Sequence, residues 1–275
     1  MSNRTEETGE LRSAFDKAAD DALDPRCIPV KLDGPPPVGD QIAYPEYTDN
    51  EHEIWRILFS RQQKLLLGRG CQEYLEGLRI MAFPDDRIPG LAHCSRSLEK
   101  AVNWKVSRTP GLLHEEDFFS QLANRVFPST DYIRSREELD YTPAPDMFHD
   151  VFGHMPMITN PVFADFYQKI GQAAMAARGD DRRRLERIYW FTVEFGLIDT
   201  AEGMRIYGNG IISSFAEVQY SLTDRVEKKP FVPEVIAEQE YDVWHMQPLL
   251  FVIESFEQLE DGFTAWAGKK GLLQG

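Results

Sequence analysis

The stretch from Ile188 to Ile198, IYWFTVEFGLI, carries a single charge, Glu194. A segment apolar on every side has no face to give to water, so the chain must build a core around it. The arginines just before it, in RRRLER, suit a helix that runs from the surface into that core. A carboxylate taken inside needs a partner, either a cation or a metal. The 275 residues, 42% of them hydrophobic, are enough to form such a core and exclude an intrinsically disordered chain.

A second constraint is PAPDMFHDVFGHMPMI, in which His149 and His154 stand five residues apart. On a regular α-helix five residues turn about 500°, leaving the side chains roughly 140° apart, whereas the HExxH histidines of zinc proteases share a face. Both rings can reach one ion only if the helix ends between them, and Gly153 and Pro156 are expected to end it. Two histidines and a carboxylate with open positions are the ligand set of non-haem Fe(II) oxygenases, while His2Glu on zinc serves hydrolysis. The residues alone leave three readings open: an iron oxygenase, a zinc hydrolase, and a binding protein whose histidines are structural.

Charge narrows the partners. Thirty Lys and Arg against 45 Asp and Glu give a net charge of −15, which disfavours nucleic acid and anionic membrane surfaces. No apolar run reaches the ~18 residues of a membrane span, and the N-terminus lacks the basic-then-apolar order of a secretion signal. Cys27, Cys71 and Cys94 form neither a CxxC pair nor an even set, which fits a reducing compartment. A cytoplasmic protein is expected.

The organisation is read as a polar, proline-bearing arm over residues 1–50 and a single domain over 51–275. LRSAFDKAADDAL in the arm has the pattern of a short amphipathic helix. Beyond it, EHEIWRILFSRQQKLLL and CQEYLEGL read as helices. So do SRSLEKAVNW, with a serine cap, and EEDFFSQLANRVF, with acids in its first turn. NPVFADFYQKIGQAAMAARGDD opens with an Asn cap and a proline, with Gly179 as its expected stop. KVSRTPGLL reads as an extended connection. MRIYG, VPEV and LLFVI are the strand candidates, so the fold class is mainly α with minor β.

Three motifs in order, PDMFHDVFGHMP, IYWFTVEFGLI and YGNGIISSFAEVQY, resemble the histidine, glutamate and glycine–serine motifs of the iron- and tetrahydropterin-dependent aromatic amino acid hydroxylases, and among them the short bacterial phenylalanine 4-hydroxylases. The resemblance runs from about Trp55 to Phe256. It implies a helical, basket-like catalytic domain in which His149, His154 and Glu194 hold Fe(II). It also implies a monooxygenase that uses O2 and tetrahydrobiopterin or a related tetrahydropterin on a small aromatic substrate. Trp190 and Val243 match the phenylalanine type, so conversion of L-phenylalanine to L-tyrosine is expected; another aromatic amino acid or ring position is the alternative.

Carried over residue by residue, the resemblance puts Phe118 against the pterin face, with the backbone of Gly111, Leu112 and Leu113 along it and Asp150 on the pterin side. Arg134 matches the clamp on the substrate carboxylate and Asp146 the acid that orients it. Thr142 and Ser213 match polar contacts to the substrate's amino acid backbone, and Pro145, Trp190 and Phe195 the walls around its ring. Asn209 replaces the alanine usual in its turn, and Ala144 a common glutamate. Animal members add a regulatory domain and a tetramerising helix that are not recognisable here, so a monomer is expected.

Overall fold

The computed structural model describes residues 24–273. The helix expected in LRSAFDKAADDAL lies outside them. Helix α1, Asp49–Leu66, starts at a reciprocal cap in which the Glu51 amide donates to Thr48 Oγ1 and the Thr48 amide to Glu51 Oε2. It buries Ile54, Trp55, Leu58 and Phe59 on one face. Helix α2, Gln72–Met81, and α3, Leu91–Val102, end on residues in left-handed conformation, Ala82 and Asn103. The expected serine cap of α3 is corrected: the helix begins four residues before Ser95, after Gly90. Ser95 is buried inside it, where its hydroxyl accepts a hydrogen bond from the Val106 amide.

Helix α4, Glu115–Ala123, is capped by the His114 ring. On either side of it, β1 (Lys105–Arg108) and β2 (Val126–Ser129) pair in parallel, so the presumed connection KVSRTPGLL begins with a strand. A short helix α5, Met155–Ile158, precedes α6, Pro161–Ala176, which opens at Asn160 and Pro161 as expected. It stops before Gly179, however. At φ 55° this glycine instead starts α7, Asp180–Tyr189.

A four-stranded sheet follows in the order β4–β3–β6–β5, built from β3 (Leu197–Thr200), β4 (Gly203–Ile206), β5 (Glu227–Pro230) and β6 (Leu249–Ile253). β3 runs antiparallel to β4 and parallel to β6, and β5 parallel to β6. MRIYG and LLFVI are thus strands, whereas VPEV is corrected to a helical turn, α10 (Pro233–Ile236), because Pro233 occupies its first position. Helices α8 (Asn209–Ser213) and α9 (Phe215–Tyr220) precede the sheet's outer strand, and α11 (Phe256–Lys269) closes the fold on α6 with Phe263 edge-on to Phe166.

The core is mainly helical with a minor β part, and the described portion of the arm lies along it. Val30 bridges to Leu113 and Val38 to Ser107, and Ile42 is buried in the core. Aromatic rings fill the space behind the glutamate and histidine motifs. Trp55 stacks on Phe59 and meets Phe148 edge-on, and Phe148 stacks on Phe152 at 4.8 Å. This rigid wall fixes the segment that carries His149 and His154.

Candidate metal centre

Local winding makes the five-residue spacing work. Phe148–His154 is a π-helix, and i→i+5 hydrogen bonding brings residues five apart close to one line. The expected helix end between His149 and His154 is therefore corrected, since the π segment runs straight on into α5. Pro156 has no N–H to give to the Phe152 carbonyl one turn back. The buried Tyr74 hydroxyl donates to that carbonyl instead, at 2.7 Å, so the proline sits in the helix without an orphaned acceptor. Gly153 serves close approach: a Cβ there would stand 3.0 Å from the Asn209 carbonyl oxygen and 3.3 Å from Ser213 Cβ, in the helix laid against it.

Glu194 ends a second π-helix, Trp190–Glu194, which continues α7. Its backbone packs on the turn before α8, where a Cβ on Gly208 would lie 2.5 Å from the Glu194 carbonyl oxygen. Two π segments and that turn thus bring the three side chains together. The Nε2 atoms of His149 and His154 are 3.0 Å apart. Glu194 Oε1 lies 3.3 Å from His154 Nε2, and Oε2 lies 3.8 Å from His149 Nε2. One ligand atom from each residue falls within 4.8 Å of the others.

The surroundings prepare these groups as ligands. Ser213 Oγ is 2.9 Å from His149 Nδ1 and 3.3 Å from the Gly210 carbonyl. A hydroxyl that donates to that carbonyl can accept from Nδ1–H, which leaves the Nε2 lone pair free. Tyr167 Oη and Asn209 Nδ2 stand 3.1 and 3.0 Å from His154 Nδ1. Burial holds the His149 imidazole well below its ordinary value, to about 4, despite the charge of Glu194. Burial alone would raise the Glu194 carboxyl, but His154, His149 and the Tyr189 hydroxyl bring it down to about 2. An ionised carboxylate beside a neutral His149 suits a divalent cation, and the nitrogen and oxygen donors suit iron.

Arg134 and Asp146 are both buried and bound in a fork. Nε reaches Oδ2 at 2.9 Å and Nη2 reaches Oδ1 at 2.8 Å. Asp146 also accepts from the His149 amide, so the ion pair is tied to the start of the histidine segment. Asp150 is committed to Thr130, whose amide and hydroxyl lie 2.8 and 3.1 Å from Oδ2. Burial outweighs those bonds and pushes its carboxyl up to about 7.

Phe118 is half-buried, edge-on to Phe119 and to Tyr189, and the Gly111–Leu113 loop is held by backbone bonds between Leu112, His114 and Val30. Trp190 lies 4.6 Å from Phe195, centroid to centroid, near the glutamate. Thr142 Oγ1 donates to the Ala144 carbonyl, and the Pro145 carbonyl accepts from Tyr132. Ser213 faces the His149 ring.

Three tyrosines near the centre were not singled out from sequence. Tyr189 and Tyr167 are joined at 2.9 Å, and Tyr241 stacks on Trp190 at 4.6 Å. Tyr189 carried a usable signal, since it precedes Glu194 by the same five residues that separate the histidines. Tyr167 and Tyr241 are distant in sequence and carried none.

The profile of the family described as biopterin-dependent aromatic amino acid hydroxylase matches residues 37–271. Phenylalanine-4-hydroxylase of Pseudomonas aeruginosa is 42% identical over 220 residues, covering 80% of this chain and 84% of that protein. The Caulobacter vibrioides phenylalanine-4-hydroxylase is 42% identical over 236 residues, covering 83% and 80%. Phenylalanine hydroxylase of Chromobacterium violaceum, solved with iron(III) and the oxidised cofactor 7,8-dihydrobiopterin, superposes with a TM-score of 0.78 at 42% identity, covering 82% of this chain and 83% of that one. These likenesses set aside the zinc hydrolase and the non-catalytic binding protein. With two imidazoles and a carboxylate converging in a mainly helical core, the chain belongs to the family of biopterin-dependent aromatic amino acid hydroxylases.

Proposed function

We propose that this chain is a monooxygenase that converts L-phenylalanine to L-tyrosine with O2 and a tetrahydropterin, at Fe(II) held by His149, His154 and Glu194. The observation that carries the reading is the convergence of those three side chains, with both Nε2 atoms turned toward the carboxylate. When bound, the iron and the reduced pterin supply activated oxygen, and the protein's part is placement. Arg134 receives the substrate carboxylate. Asp146 occupies Nε and Nη2 and so aims the guanidinium without using Nη1. Trp190, Phe195 and Pro145 wall the aromatic ring and keep water from it, while Thr142 and Ser213 lie on the side of the amino acid backbone. Phe118 offers a face for the flat pterin, with Gly111, Leu112 and Leu113 along its edge. Asp150, whose carboxyl burial raises to about 7, holds its proton in part near neutral pH and can then donate as well as accept on the pterin side.

The domain reading is one catalytic unit over residues 51–275 with an arm before it, and the described part of that arm, from residue 24, packs against the unit through Val30, Val38 and Ile42. No described helix is long and apolar enough to cross a membrane. The three cysteines are free and buried, which supports a cytoplasmic setting. A monomer is supported by α11, which spends its apolar face on α6 within the chain. Sizing at two concentrations tests this, and a stable tetramer would overturn it.

The test of function is direct. Protein loaded with Fe(II) and a tetrahydropterin under oxygen is offered phenylalanine, tyrosine and tryptophan separately. Tyrosine formed from phenylalanine is the expected product. Hydroxylation of tryptophan or tyrosine in its place, or no ring hydroxylation, would sink the assignment.

A further inference from the structure

Asn209 is fully buried, and its side chain reaches one of the proposed ligands. Nδ2 lies 3.0 Å from His154 Nδ1, while Oδ1 has no hydrogen-bond partner among the described residues. That pairing conflicts with the chemistry of the centre. If Nε2 of His154 is committed to a metal, Nδ1 must carry the ring proton, and a donor N–H would then face a donor N–H. The two amide atoms have nearly the same shape, so which one faces the ring is an assignment that the hydrogen-bond network decides. Turning the amide over puts an acceptor against Nδ1–H. The oxygen, unpaired where it stands, then gains a partner in the ring N–H.

From this geometry we infer that Asn209 is a positioning residue for the metal centre: its amide oxygen accepts the Nδ1 proton of His154 and thereby holds the ring with Nε2 toward the iron. The inference rests on the metal-site reading above. Tyr167, also at Nδ1, passes the contact on to Tyr189, which hydrogen-bonds Glu194. Asn209 therefore steadies one ligand while the tyrosine pair links that ligand to another. The resemblance implies alanine at this place in the turn, and an alanine side chain offers no acceptor. The asparagine is a feature of this chain's own centre, and hydrogen bonds of this kind to a ligating histidine are worth about tenfold to a hundredfold in metal affinity.

Co(II) is a suitable probe, because its visible absorption reports binding without turnover. Wild type, Asn209→Leu and Asn209→Asp are titrated with Co(II), with thermal unfolding of each metal-free protein as a control for folding. Leucine matches the volume but cannot accept, whereas aspartate can only accept. The expected result is a loss of about tenfold or more for Asn209→Leu and affinity at or above wild type for Asn209→Asp. Equal affinity in wild type and the leucine variant, or equal loss in both variants, would overturn the inference. Failure of wild type to bind Co(II) would instead strike the metal-site reading beneath it. Should the variants not fold, zinc-loaded wild type labelled with 15N decides the question. A slowly exchanging His154 Nδ1–H without a cross-peak to the Asn209 amide protons is expected, and amide protons facing that nitrogen would refute the assignment.

Discussion

At the scale of single residues, the centre depends on side chains that finish hydrogen bonds the backbone leaves open. The Ser213 hydroxyl stands between His149 Nδ1 and the Gly210 carbonyl, so that donating to the carbonyl leaves it to accept from Nδ1–H. Ser213→Ala is therefore expected to weaken Fe(II) or Co(II) binding by about tenfold, with little change in unfolding temperature; a metal titration beside a thermal melt separates the two effects. Tyr74 shows the opposite profile. Its hydroxyl satisfies the Phe152 carbonyl that Pro156 cannot. Tyr74→Phe leaves the ring packing intact but strands a buried acceptor, so about 1–3 kcal/mol of stability should be lost. Denaturant unfolding measures it, and an unchanged midpoint would show that the π segment needs no such partner. Glu194→Ala removes the one carboxylate of the ligand set and should abolish iron binding and turnover together.

Elements come next, and here the unusual feature is that all three proposed ligands stand on π-wound segments, which accommodates the five-residue spacing. The glutamate segment is seated on the turn before α8, so Gly208→Ala drives a Cβ into the Glu194 carbonyl at 2.5 Å, against backbone that cannot rotate away. A loss of about 2 kcal/mol or more and weakened metal binding are expected, read by unfolding and Co(II) titration on the same samples. The sequence was legible where a local pattern carried the structure. The apolar period of α1 and the Asn160–Pro161 start of α6 needed no distant partner to be recognised. β1 and β2 were not legible, because each is four residues long and is defined by pairing with the other across α4. Gly153 and Pro156 were read by the ordinary rules of a regular helix, and those rules gave way to tertiary contacts with α8 and Tyr74. The proposed ligands could be picked out because residue type and motif order carry them, and the structure brings the three side chains together. The partners that orient them, Tyr167 and Asn209, act through space, and only the asparagine left a trace as an unusual residue in its turn.

For the whole molecule, pH acts on stability through groups whose burial favours one protonation state. Glu217, in α9, has its carboxyl raised from 4.5 to about 7 by burial alone. The folded chain therefore holds that proton over a range where the unfolded chain has released it. With the folded value above the unfolded one, the stabilising contribution is full below about pH 4.5 and is lost as pH rises toward 7. His149 works in the other direction. Its value is lowered to about 4 by burial, so the fold is favoured above the ordinary value of 6.5 and loses that advantage as pH falls through this window. Net charge adds to the alkaline side, since −15 at neutral pH repels itself more strongly as the last carboxyls ionise. Glu217→Gln isolates one of these contributions. The variant should match wild type near pH 4, gain on it between about pH 4.5 and 7, and hold a steady advantage above that range. The advantage should be on the order of 1–2 kcal/mol, below the full linkage value because the half-buried carboxyl is partly screened by water. Urea unfolding at pH 4, 6 and 8 gives the difference directly. A gap that is constant with pH would mean that Glu217 titrates normally in the fold, and that the alkaline loss of stability comes from the distributed charge alone.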